Sequence, residues 1–422
     1  MHTHSNNSPT LACATDILSE IVRRHGTPTY AFDVRRLRSQ VETLRAHLPD
    51  EVGILYSLKA NASLGICDVF QDCGIGADVA SAGEMATAIE AGFSSDSIFV
   101  AGPFKLAEMI SQLTEVSQAI VSVDSPSELR TLAQADLSNP VVLRLRPDFG
   151  SCAVVPAGCE SRFGFNEVDL AECRRLLPQC GLDVIGFHVF AGSQVLSAEQ
   201  VNDHLRRAVD LSLRAADVLG VTPSLINLGG GFGVPYGSDD TELDLAAVGA
   251  ELTRLIERAA PARFVLELGR YLVAEAGWYL TSVVGHQTAQ AGPAVVVDGG
   301  VHQRGDMCGL RLRTHARPPL VLGAPADSAT RPTDVWGCLS LPDDILALAS
   351  SLPGLSAGDV LAFANAGAYG LWSSPAIFHG SPLPAEVAFD GDAIHVMRER
   401  KPARSILDDQ RHVAMKQVPA HS

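Results

Sequence analysis

The chain of 422 residues carries 32 Lys and Arg against 48 Asp and Glu, a formal charge of -16, and 46% of it is hydrophobic. That balance excludes a nucleic-acid binder, which needs clustered cations, and a disordered chain, which buries too little apolar surface; the length predicts two domains. No apolar run approaches the roughly 18 residues of a membrane span, residues 1–10 lack the features of a secretory signal, and nine cysteines without CxxC pairs read as reduced thiols, so a soluble cytoplasmic protein is expected.

In chain order, short β-rich apolar runs recur: GILYSLKA (53–60), IGADVAS (75–81), SIFVAGP (97–103), AIVSVDS (119–125), VVLRLRP (141–147), VIGFHVF (184–190), SLINLGG (224–230) and RFVLELG (263–269). The first four begin 22 residues apart, at 53, 75, 97 and 119. Helical patterns lie between them. Ser81 to Glu84 fits a capping box with Gly92 past the helix end, Ser125-Pro126 starts a second helix, and Ser197 to Gln200 opens a third that Gly220 stops. Eight strand–helix units predict a (β/α)8 TIM-type barrel over 35–285, with an open doubly wound sheet as the alternative. From about 285 the texture changes to PAVVVDGG, PPLVLGA, DVWGCLSL, DVLAFANAGAYG and AEVAFDGDAIHVM, separated by Gly, Pro and Asp turns. These predict a second, mostly antiparallel, β-barrel-like domain over 286–400, which residues 1–34 join, followed by a polar tail over 401–422.

In such a barrel chemistry collects at the C-terminal ends of the strands. Lys59 ends the first strand and His188 lies near the end of the sixth; Gly229-Gly230-Gly231 close the seventh, and Glu267, Gly269 and Arg270 close the eighth. Singly each is commonplace, since a buried histidine usually satisfies a neighbour and a glycine run is usually a turn. Together they set an amine, an imidazole, an anion cradle and a carboxylate around one mouth. The set suits pyridoxal 5'-phosphate. Its aldehyde needs a lysine, and a desolvated lysine has a depressed pKa and becomes nucleophilic. Its phosphate needs close backbone N–H groups, which glycines permit. Its ring nitrogen needs a carboxylate to stay protonated, and an imidazole can stack on its face. No metal is expected.

The motifs YSLKAN, GADVASAGEM (76–85), SRFGF (161–165), GFHVFAGSQ (186–194), NLGGGFG (227–233), ELGR (267–270), GAYG (367–370) and PAEV (384–387), after GTPTYAFD (26–33), come in an order that resembles the fold-type III pyridoxal-phosphate decarboxylases acting on diaminopimelate, ornithine and arginine. The similarity covers roughly residues 26–400. The resemblance implies that Lys59 holds the aldehyde, His188 stacks on the pyridine and Glu267 pairs with its nitrogen. It implies Ser193, Gly229, Gly230, Gly231, Gly269, Arg270 and Tyr369 at or near the phosphate, Arg270 and Asp344 at the substrate, and Asp78 close by in a catalytic or structural role. It further implies a homodimer with shared active sites, and loss of the α-carboxylate through an external aldimine and a quinonoid. Alanine racemases resemble the same barrel but place an arginine at the ring nitrogen, so a racemase is the second reading. A catalytically impaired regulator of the same family is the third.

Three departures bear on substrate and mechanism. Where the family carries a motif like GPxCExxD, whose cysteine protonates Cα in the partner's site, this chain has Gly337-Cys338-Leu339-Ser340-Leu341-Pro342-Asp343-Asp344. Ungapped alignment puts Ser340 at the cysteine position; because alternate strand residues share a face, a register change would deliver Cys338 instead. Leu341 stands where the family's glutamate reads the distal ammonium of diaminopimelate, which argues against that substrate. After Asp298 the segment is unlike the family's, and its arginines Arg304, Arg311, Arg313 and Arg317 would suit a carboxylated substrate or a solvated edge. The combination looks more similar to members of siderophore or antibiotic pathways, which act on conjugated or carrier-bound amino acids.

Overall fold

A computed structural model describes residues 9–413 except 136, 150–154, 157–161, 290–291, 308–315 and 326. Eight parallel strands close into a barrel: Val52–Ser57, Gly76–Val79, Ile98–Val100, Ile120–Val123, Val141–Leu145, Val184–Val189, Leu225–Gly230 and Arg263–Leu268. Each lies within one of the eight predicted runs except the first, which begins one residue earlier at Val52, and closure is made by the last strand pairing with the first, Glu267 beside Leu55. The open doubly wound sheet is therefore excluded. Near-continuous apolar sequence in these strands follows from burial on both faces, with side chains filling the barrel inside and helices covering it outside.

Local signals start the helices where expected. Ser81 accepts from the amide of Glu84 at 3.2 Å, and the Glu84 carboxylate reaches back to the Ala80 amide, one residue before the Ser81 amide of a regular capping box. Ser197 caps the helix Ala198–Leu219, which ends at Gly220 in the left-handed region, φ 70°. Its buried residues Val201, Leu205, Ala208, Val209, Ser212, Ala216 and Leu219 repeat every three or four positions, one stripe facing the barrel.

The second unit is a nine-stranded, mostly antiparallel sheet. Its strand Gly277–Ala289 spans the boundary expected at 285 and belongs to this sheet throughout. Thr29–Asp33 pairs antiparallel with that strand and parallel with Ala385–Asp390, so the N-terminal segment sits inside the sheet. Ile345–Leu352, which carries no clean alternation, is a strand absent from the sequence expectations. The run DVWGCLSL ends as strand at Trp336. Among the described residues no helix is long and apolar enough to cross a membrane.

Candidate active site

The two units meet over the mouth of the barrel. A one-turn helix, Leu58–Ala60, carries Lys59 out of the first barrel strand. The amide of Tyr369 donates to the Ala60 carbonyl at 2.7 Å and the Asn61 amide group donates to the Gly367 carbonyl at 3.1 Å, so the loop from the sheet is stitched to the lysine turn. Tyr369 and Asn365 both hold positive φ, 57° and 54°. Non-glycine residues in that region cost on the order of 1–3 kcal/mol, a strain that clusters at functional sites.

A cleft of about 310 Å³, part of it open to solvent, is lined by Ser57, Lys59, Phe190, Ser193, Gly231, Glu267 and Tyr369 among others. The Lys59 ammonium lies 5.2 Å from the Phe190 ring centroid. Desolvation pulls this ammonium down, but the carboxylates of Asp78 and Glu267 and the Tyr369 hydroxyl outweigh it, and the pKa lies above 10.5. The expectation of a depressed lysine is thus overturned: two anions at the mouth decide the sign. Asp78, on the second barrel strand, is raised to about 7 by burial and then by Glu267, against Lys59 and the Ser57 hydroxyl that donates to its Oδ2. Its Oδ1 is buried without a partner.

Glu267 and His188 come together as predicted. His188 is 1% exposed; its Nδ1 shares a 2.8 Å hydrogen bond with Ser122, and its Nε2 lies 3.3 Å from Glu267 Oε1 outside hydrogen-bond geometry, without a partner. Burial lowers the His188 pKa, so the ring is neutral at pH 7. Burial raises Glu267, but His188, Lys59 and Arg144 outweigh it and hold the carboxyl below its usual range. With His188 neutral its share of that lowering falls away, and Lys59, Arg144 and the 2.7 Å hydrogen bond from the Asn227 amide group are what still favour the ionised form against burial. Sequence reasoning missed Asn227, Ser122 and Arg144; the available signal was a polar residue within each otherwise apolar strand.

The glycines form a cradle that no side chain could share. A Cβ on Gly230 would fall on the Glu267 carbonyl oxygen, one on Gly231 on the Gly192 carbonyl, and one on Gly229 would come 2.6 Å from the Val189 carbonyl; Gly229 and Gly231 hold φ 66° and 91°. Ser193 and Gly269 line the same cleft. Arg270 is 7% exposed, donates to the Tyr236 hydroxyl at 3.1 Å, and lies 4.7 Å over the Tyr369 ring with Nε unpartnered. These residues fit pyridoxal 5'-phosphate: an amine, a carboxylate, a backbone cradle, and buried polar atoms on His188, Asp78 and Arg270 left without partners.

Other expectations are corrected. Arg304 does not face a substrate; its guanidinium is 2% exposed, bound to both Asp306 oxygens at 2.9 and 2.7 Å, and lies 5.3 Å from each of the Tyr279 and Phe363 ring centroids. Arg311 and Arg313 lie outside the described residues. Arg317 is exposed, its amide donating to the Tyr236 carbonyl. Asp344, expected at the substrate, instead organises its own loop: it accepts from the amides of Val301 and Leu339 at 2.7 and 2.8 Å and is 3% exposed. Cys338 and Ser340 sit in bends after the strand, so no strand face is shared; both are exposed and neither lines the Lys59 cleft of its own chain. Desolvation and the Asp344 carboxylate raise the Cys338 thiol, making it a weaker acid.

Comparison with known proteins bears on this geometry. Residues 34–274 match the model of the "Pyridoxal-dependent decarboxylase, pyridoxal binding domain" family. An L-glutamyl-[BtrI acyl-carrier protein] decarboxylase of Niallia circulans is 30% identical over 93% of this chain and 96% of that protein. A diaminopimelate decarboxylase of Methanothermobacter thermautotrophicus is also 30% identical, over 93% of each. Among solved structures, the Helicobacter pylori diaminopimelate decarboxylase complexed with L-lysine superposes with a TM-score of 0.82 at 25% identity, covering 93% of this chain and 98% of that one.

Proposed function

The chain belongs to the pyridoxal-dependent decarboxylase family, and from that premise we propose that this amino-acid decarboxylase removes the α-carboxylate of a conjugated or carrier-bound amino acid. The observation that carries the reading is the convergence of Lys59, Glu267, Ser193 and Gly231, the last of the three consecutive glycines, on one cleft with Tyr369. For the substrate, Leu341 is 39% exposed and has no group to pair with a distal ammonium, which favours a distal end that carries no such charge. The carrier-bound glutamyl substrate named for the Niallia circulans relative has its amino acid attached through a linkage of that kind.

Bound at Lys59, the cofactor supplies an electron sink for the bond that breaks. The remaining work falls to the chain. Glu267, kept ionised, would hold a proton on the ring nitrogen, a stronger pull on electrons than the arginine of a racemase gives. His188 would flank one face of the ring; Ser193, the glycines, Arg270 and Tyr369 would hold the phosphate. Asp78 Oδ1, titrating near neutrality, takes up and returns the proton that the Lys59 amine must shed before it can react. The Tyr369 loop excludes water from the mouth. Ser340 and Cys338, exposed and outside their own cleft, reach a reacting carbon only from a second copy, so the active unit is a homodimer, with Ser340 positioning the water that returns a proton to Cα.

The test is to incubate purified protein with amino acids and their acyl, citryl and carrier conjugates, recording CO2 release in light and heavy water. CO2 from a conjugate, with one deuterium at the former α-carbon, is expected. Interconversion of enantiomers without CO2 would overturn the reading, and sedimentation as a monomer at assay concentration would overturn the shared site.

A further inference from the structure

We propose that Ser122 is a positioning residue that fixes the tautomer of His188, donating its hydroxyl proton to Nδ1 so that Nε2–H is turned to Glu267. The inference rests on the cofactor reading above and names the device that sets the charge at the ring nitrogen. A neutral imidazole has one N–H, and two arrangements are open to it. With the proton on Nδ1, the Nε2 lone pair would face an ionised carboxylate oxygen 3.3 Å away, like against like in a site with almost no water. With the proton on Nε2, the same contact is attractive, and Nδ1 needs a donor. The Ser122 hydroxyl, 2.8 Å from Nδ1, is that donor. Nε2–H then turns its positive edge toward the Glu267 Oε1 that Asn227 Nδ2 also bonds.

Ser122 is itself pinned from behind. Its carbonyl accepts from the Lys105 ammonium, which lies 3.2 Å from Glu128 Oε1, the two side chains 1% and 2% exposed. Glu128 also takes the amides of Lys105 and Asp124 at 3.0 and 2.7 Å. A buried ion pair is poor evidence of added stability, but this one fixes the end of the strand that carries Ser122. The other groups acting on His188 are Phe99, edge-on at 5.5 Å, and Arg144 and Asp124, opposite charges 3.4 Å apart.

The test uses the full chain labelled with 15N-histidine, with and without added pyridoxal 5'-phosphate, the His188 signals being identified by their loss in His188→Gln. A protonated Nε2 and an unprotonated Nδ1 are expected between pH 6 and 8, a mixture of tautomers in Ser122→Ala, and the original pattern in Ser122→Thr. With cofactor bound, Ser122→Ala should lower kcat about tenfold at little change in KM, the scale seen when a partner orienting a functional histidine is lost, and Ser122→Thr should restore it. A proton on Nδ1 in the parent chain, or an unchanged tautomer in Ser122→Ala, would overturn the inference. If Ser122→Ala does not fold, the parent spectrum alone decides. Absence of a borohydride-trapped adduct at Lys59 would instead defeat the cofactor reading and leave the cofactor-free spectrum to judge the tautomer.

Discussion

The amide of Tyr369 is hydrogen-bonded to the carbonyl of Ala60, the residue after Lys59, across the junction of barrel and sheet. The loop that covers the cleft and the turn that carries the reactive amine therefore move as one body, and disturbing either should disturb both.

Gly367→Ala tests this coupling. Its Cβ would fall on the Val273 carbonyl oxygen, with the Ala274 carbonyl 3.0 Å away, so the loop must lift. A loss of roughly 2–3 kcal/mol in stability is expected, with cofactor affinity at least tenfold weaker. Thermal melts and titration of the absorbance of bound cofactor would check it.

The cradle can be tested at Gly231→Ala, where a positive φ and the Gly192 carbonyl both forbid a side chain. Because the added Cβ would push the Gly192 carbonyl and its neighbour Ser193 out of the proposed phosphate cradle, pyridoxal 5'-phosphate binding should fall at least tenfold while pyridoxal binding changes little, and competition by inorganic phosphate should disappear. Equilibrium dialysis with both compounds separates the two effects.

Asp78 should make folding weaken as pH rises. In the folded chain it keeps its proton up to about pH 7, whereas unfolded it ionises near 4, so between those values the native state binds more protons and stability falls with increasing pH. His188, whose burial lowers its pKa, acts in the opposite sense near pH 6. The diagnostic is thus the difference between parent and Asp78→Asn. The variant should gain at least about 1 kcal/mol relative to the parent between pH 4.5 and 8, read from urea midpoints at each pH.

Lys105 and Glu128 should show the asymmetry of buried ion pairs. Glu128→Ala strands a buried ammonium and two backbone amides, and a loss of about 3–5 kcal/mol is expected. Replacing both, Lys105→Met with Glu128→Leu, should recover the part due to the stranded ammonium but not the part due to the two amides that Glu128 accepted, so the double variant should fall between the parent and Glu128→Ala. Denaturant unfolding of the two variants and the parent decides the matter.

Exposed Ser340 and Cys338 should be nearly neutral for folding when changed singly to alanine, within about 0.5 kcal/mol. Ser340→Ala should slow turnover roughly tenfold or more, in line with loss of the group that orients the proton-donating water, while Cys338→Ala should stay within about twofold. Rates of CO2 release and solvent deuterium incorporation would measure both.

The barrel was legible because its strands are buried on both faces and read as unbroken apolar runs, and the cradle because three glycines in a row follow one of them. Arg304 was not: its pairing with Asp306, two residues on, depends on a turn that composition does not announce. Ile345–Leu352 escaped because its exposed and buried residues do not alternate. Ser122 and Asn227 were visible only as lone polar residues in apolar strands, and what they bond to is set by strands far away in the chain. The lysine's pKa was misjudged for the same reason, since Asp78 reaches it through pairing of the first two strands and Glu267 only through closure of the barrel.

The seating of Thr29–Asp33 between Gly277–Ala289 and Ala385–Asp390 has a consequence for biogenesis. During translation this early strand emerges long before either neighbour exists; one edge waits for Gly277–Ala289 and the other until Ala385–Asp390 has left the ribosome. The barrel can form meanwhile, but its lid arrives last, so nascent chains that stall late should carry a finished barrel and an unclosed mouth.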